Sequence, residues 1–129
     1  MPSRLLVSLV LAGVLAPFAI FAARDAAYHF GPRKPGAAEN LVHLTLGASQ
    51  LLFIVGAFRQ NLAQELLGLV SIAVFGVIDE FFFHRDLPPA ETDLHAKAHM
   101  FLFAFVAVAL ALNHLPPLLT SWPPSWSAS

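Results

Sequence analysis

Three pairs of potential metal ligands recur at one spacing. Glu39 and His43, Glu80 and His84, and His95 and His99 are each four positions apart. On a helix, residues at i and i+4 share a face, so each pair presents two donors in one direction. Carboxylate oxygens and imidazole nitrogens together suit iron, manganese or zinc, whereas a Cu(I) site would want sulfur. The chain has no Cys and only two Met. Asp79 adjoins Glu80, about 100° around the helix, and offers a further oxygen or a proton-handling group. Gln50 continues the face of His43 two turns deeper.

Six nitrogen and oxygen donors exceed the need of one tetrahedral zinc. They suit two ions, or one octahedral iron or manganese, and helical bundles build di-iron sites from such carboxylates and histidines. The leading reading is therefore a non-haem iron oxidoreductase, expected to hold two ions on Glu39, His43, Glu80, His84, His95 and His99 and to act on a lipid-soluble substrate. Asp79 and Glu80 are its candidate catalytic acids. A zinc hydrolase is the second reading: His43, His95 and His99 would hold the ion and leave a position for water. Asp79 or Glu80 would then be the general base, and Glu39 would orient a ligand imidazole. The third is a non-enzymatic subunit of a membrane complex, carrying metal or a haem b held by two histidines. A short chain leaves little room for a substrate cavity, which favours that class. The plain alternative is a hydrogen-bonded polar collar with no ligand.

The segment His95-Ala96-Lys97-Ala98-His99 resembles one histidine box of the membrane desaturases and hydroxylases. It equally resembles the paired histidines of the membrane ceramidase and adiponectin-receptor group. Both groups have more spans, and the desaturases carry further boxes with His-His doublets that are missing here. The likeness covers five residues.

These ligands must be positioned inside a membrane. Of 129 residues, 57% are hydrophobic and 12% charged, about half the charged fraction of a soluble domain. Mean hydropathy is +0.70. A net charge of −1 with no basic stripe excludes nucleic acid as a partner. Without Cys there is no disulfide scaffold and no thiol catalysis. A spanning helix needs about 20 apolar residues, and segments at 5–23, 39–58, 62–83 and 93–115 meet that need. The first is too long and lacks the cleavage site of a signal peptide. Gly31–Gly36, Arg59-Gln60-Asn61 and Leu87-Pro88-Pro89 break the chain between them, with Thr92 or Asp93 expected to cap the last helix. Short loops force antiparallel neighbours, so the expected fold is an all-α, integral-membrane, up-down four-helix bundle over residues 1–115. Gly47, Gly56, Gly68, Ser71, Gly76, Ala104 and Ala107 are expected to let the backbones approach. Residues 116–129 read as a Pro/Trp-rich tail anchored at the interface by Trp122 and Trp126.

This topology puts twelve of the fourteen acids and histidines on one side, leaving only Glu65 and His114 on the other. Ionisable groups within a bilayer disfavour insertion by about 2.5–3.5 kcal/mol each at mid-helix, and a bound cation would compensate a cluster of them. Around the three pairs, His29 is expected either to join the site or to anchor at the interface. Glu91 and Asp93 read as loop or cap residues, Arg85 and Lys97 as partners of nearby acids or as snorkelling side chains, and His114 as interfacial. Glu65 is expected to be exposed, and Phe81-Phe82-Phe83 to pack on lipid or core. Basic residues around the clustered side (Arg24, Arg33, Lys34, Arg85) outnumber Arg4 and Arg59 opposite. The positive-inside bias thus turns the site toward the cytoplasm, with a bacterial inner membrane as the expected location. Beyond lipid and substrate, a membrane-protein partner or a second copy of the chain is a possible associate.

Overall fold

The computed structural model describes residues 4–120. Four α-helices follow one another: α1 (Arg4–Tyr28), α2 (Ala37–Arg59), α3 (Leu62–Phe82) and α4 (Pro89–Thr120). A single π-helical turn, His29–Arg33, extends α1. All four helices are long and apolar enough to cross a membrane. The shortest, α3 with 21 residues, is about 30 Å long, the thickness of a hydrocarbon core. Leu and Val side chains such as Leu9, Leu44, Leu67, Val70 and Val74 point outward and exposed, as lipid-facing positions do.

Three helix ends differ clearly from the sequence expectation. α1 runs on to Tyr28, past the expected boundary at 23. α4 begins four residues earlier, at Pro89, because proline fits the first helical position, where its missing N–H is no loss. Thr92 and Asp93 therefore lie inside the helix; the Thr92 hydroxyl donates to the Pro88 carbonyl at 3.2 Å, and Asp93 pairs with Lys97 at 2.6 Å. At its other end α4 continues to Thr120, past the expected boundary at 115. Trp122 and Trp126, the expected anchors, lie outside the described residues.

α2 turns into α3 through two residues. Gln60 takes a left-handed conformation, its N–H and that of Asn61 closing on the Ala57 and Gly56 carbonyls. The Asn61 side chain then caps α3 by accepting from Gln64 N–H at 3.1 Å. This tight link holds α2 along α3, while α1 lies along α4. The two pairs meet at one end of the bundle around Val7, Leu11, Phe53, Ala57, Phe105 and Ala109. There the Phe53 and Phe105 rings pack edge to face, centroids 6.0 Å apart.

Glycine decides where helices touch. An added Cβ at Gly68 would stand 2.6 Å from the Phe53 backbone nitrogen, and one at Gly56 would stand 2.8 Å from that of Glu65. These two glycines let α2 and α3 approach. Gly47 and Gly76 do not: an added Cβ there meets nothing within 4 Å. Ala104 and Ala107 are likewise exposed rather than packed.

The packed end is fastened by a polar clamp. Glu65 is fully buried, against the expectation of an exposed helix start, because α2 closes over the first turn of α3 and α4 reaches far enough to cover it. Its two carboxylate oxygens lie 3.1 Å from Asn113 Nδ2 and 2.9 Å from His114 Nε2. Asn113 also donates to the Ala57 carbonyl at 2.9 Å, so three helices share one network. His114 is a clamp residue and not a bare interfacial one.

Two outcomes follow from this packing, both read from thermal unfolding by circular dichroism in detergent. Gly68→Ala is expected to lose about 1–3 kcal/mol through overpacking, whereas Gly47→Ala is neutral or gains up to about 1 kcal/mol of helix propensity. His114→Ala, which strips one partner from buried Glu65, is expected to lose about 1–3 kcal/mol. Equal behaviour of the two glycine variants would contradict the described contact.

Candidate metal centre

At the other end the helix pairs part, and the polar residues of all four helices converge. Five imidazoles form a row, His29, His43, His84, His95 and His99, with successive ring centroids 4.2, 5.3, 4.4 and 4.1 Å apart. Carboxylates lie along it. Asp79, 3% exposed at its side chain, sits between a histidine of α2 and one of the segment after α3, with Oδ1 2.9 Å from His43 Nε2 and Oδ2 3.3 Å from His84 Nδ1.

Local structure sets each position. Glu39 lies in the first turn of α2 and His43 one turn on, so both face inward as the spacing predicts. The Glu80/His84 pair behaves differently. α3 ends at Phe82, and the backbone N–H groups of Phe83 and His84 both bond to the Asp79 carbonyl, at 2.9 and 3.1 Å. This winding folds the His84 ring onto Asp79 instead of stacking it above Glu80. Glu80 keeps a side chain 57% exposed, with Oε2 3.6 Å from His95 Nε2. His95 and His99 share one face of α4 with rings in contact.

Three side chains outside the expected ligand set complete the cluster. The π turn carries His29 inward, where it is 5% exposed. Its Nδ1 lies 3.0 Å from Glu91 Oε1 and its Nε2 3.5 Å from Glu39 Oε1. Glu91 is thus no loop acid: it is 1% exposed, drawn in by the early start of α4. Asp25 Oδ2 lies 3.2 Å from His95 Nδ1. A signal for these was present, because Asp25–His29 and Glu91–His95 repeat the four-residue acid–histidine spacing. With them four acid–histidine pairs of this spacing, one on or at the end of each helix, enter the cluster.

The arrangement could hold a metal ion. An ionised carboxylate only accepts, so a ring proton on Nδ1 of His29 and His95 suits Glu91 and Asp25 and would turn the lone pair of Nε2 toward a metal. A carboxylate behind the imidazole is the usual outer partner of a metal-bound histidine. His43 Nδ1 is buried and makes no hydrogen bond. Among the described residues three overlapping groups offer donor atoms all within 4.8 Å of one another: His29, Glu39, His43 and His84; Asp79, His84 and His95; and Glu80, His95 and His99. All six residues expected as ligands fall in these groups, with Asp79 at the centre. The three histidines of the zinc reading fall in two different groups, His43 in one and His95 with His99 in another.

The cluster lines one end of a cavity of about 1300 Å³ that extends beneath it between the helix pairs and is reached by residues of all four helices. The cavity is large for so short a chain and supplies the room that length alone argued against. No protein family, curated protein or solved structure matches this chain.

Proposed function

We propose that this protein is a membrane metalloenzyme holding two non-haem iron ions and oxidising a lipid-soluble substrate with O2. The observation that carries the reading is the pairing of two outer ligand groups, His29/Glu39/His43/His84 and Glu80/His95/His99, bridged by Asp79, at the top of a cavity within the bilayer region. Mixed nitrogen and oxygen donors without thiolate suit iron in an oxidising role. When bound, iron would supply the electrons and Lewis acidity for O2 activation. Inserting one oxygen atom into a C–H bond and releasing the other as water takes two electrons and two protons; the diferrous site would give the two electrons in a single turnover.

The chain's own residues do the rest. Glu91 and Asp25 orient His29 and His95. Asp79, between His43 and His84, fixes the two halves of the cluster relative to each other. Glu80, the most exposed carboxylate of the cluster, is placed to exchange protons with the outside. The apolar walls beneath hold substrate and exclude water.

Two measurements test this. Glu91→Gln and Asp25→Asn are each expected to weaken metal retention about 10- to 100-fold, read by competition with a chelator, with helicity unchanged; retention equal to the parent would remove the orienting role. Mixing anaerobically Fe(II)-loaded protein with O2 is expected to consume O2 at once, whereas the zinc-loaded form consumes none. An iron-loaded protein inert toward O2 would overturn the oxidoreductase reading.

A further inference from the structure

Gly47 lies four residues beyond His43 on α2, and Gly76 four residues before Glu80 on α3. Each therefore sits one turn beneath a candidate ligand, on the same helix face. Both line the cavity. Neither serves helix packing, since an added Cβ meets nothing within 4 Å at either position. Mid-helix glycine disfavours the helix by about 1 kcal/mol against alanine, so two glycines with no packing role, at one depth under the ligands, mark space kept open for something else.

The shape of that space follows from the pairing of the helices. Because α1 lies along α4 and α2 along α3, the cavity is the gap between the pairs and opens sideways twice. Ala26 of α1 and Phe30 of the π turn with Leu44 and Ala48 of α2 edge one opening, all exposed; Val77 of α3 and Phe103 of α4 edge the other, also exposed. Both openings lie on the lipid-facing perimeter of the bundle. On α2 the lining runs from Asn40 to Leu51, about 16 Å along the axis. Below the ligand level Gln50 is the one polar side chain among the lining residues. Phe18, Leu51, Ile72 and Leu102 line its deep end, above the packed end where Phe53 meets Phe105.

We infer that this cleft binds a single unbranched hydrocarbon chain, such as that of a fatty acid, which enters sideways from the bilayer and passes under the ligands across Gly47 and Gly76. A slot open at both sides and walled by apolar groups accepts a flexible chain threaded through it, whereas a fused-ring lipid would have to fit between helices held together at the floor. The glycines bring the chain itself, and not only its head group, next to the metal centre. This inference rests on the metalloenzyme reading for its catalytic meaning, but its test does not.

The experiment is photolabelling of the full-length protein in detergent with a stearic acid carrying a diazirine on its chain, followed by peptide mapping. Labelling is expected on the cavity-lining segments 44–51 and 73–77, in protein with metal and in protein stripped by chelator. Gly47→Phe and Gly76→Phe are expected to lower that labelling at least about tenfold, equivalent to 1.4 kcal/mol of binding, while metal content stays at the parent level. Gly47→Ala and Gly76→Ala, which nothing in the fold opposes, are expected to lower it in the same direction by less and cover the case of a misfolded Phe variant. Unlabelled oleic acid is expected to compete and cholesterol not. Label confined to outward positions such as Leu67 and Val70, label indifferent to all four substitutions, or competition by cholesterol equal to oleic acid would each overturn the inference. A chain-labelled cleft in a protein that binds no iron would instead sink the metal reading and leave this one standing.

Discussion

The carboxylate of Asp79, nearly inaccessible and held between His43 and His84, is the constraint on which this structure turns. A buried acid within a bilayer persists only when its neighbours compensate it. Here the compensation comes from imidazoles on α2 and on the segment after α3, and those imidazoles require partners in turn. His84 contacts His95, His95 contacts Asp25, and His29 contacts Glu91 and Glu39. The network closes only with all four helices in place, so the polar cluster specifies the bundle as much as the bundle specifies the cluster. A network of this kind is stabilising when satisfied and destabilising when partly satisfied. A cation shared among its donors would satisfy it further, since it neutralises carboxylate charge while using imidazole lone pairs.

The same chain handles its two ends oppositely. At one end Gly56 and Gly68 bring α2 against α3, Phe53 meets Phe105, and Glu65 ties α3 to α4 through Asn113 and His114. At the other end Gly47 and Gly76 hold helices no closer and leave a cavity. In lipid there is little hydrophobic drive between helices, so the close contacts and hydrogen bonds of the packed end must carry the assembly. That lets the opposite end stay open without the bundle falling apart.

Much of this was legible in the sequence, for identifiable reasons. Helix number and order followed from the apolar runs and the Gly/Pro breaks. Glu39, His43, His95 and His99 were readable because they sit within regular helix, where four-residue spacing means a shared face. The Glu80/His84 pair misled because α3 ends between its members, and spacing loses its meaning past a helix end. His29, Asp25 and Glu91 carry the same spacing but lie in segments that read as loops; the continuation of α1 past residue 23, the π turn after Tyr28 and the proline-initiated start of α4 turn them inward. Glu65 and His114 are 49 positions apart, and no local pattern links residues so distant. The distinction between packing glycines and cavity glycines was likewise invisible, because it depends on what faces each one across the bundle.

The most direct test of the central claim is the metal count per chain by elemental mass spectrometry on detergent-purified protein, for the parent and for His43→Ala and His99→Ala. A two-ion centre split between the outer ligand groups predicts about two irons per chain in the parent, as in other carboxylate–histidine bundles, and about one in each variant, with helical content preserved. A parent that retains no metal after gentle purification and iron loading, or variants that retain as much as the parent, would contradict it.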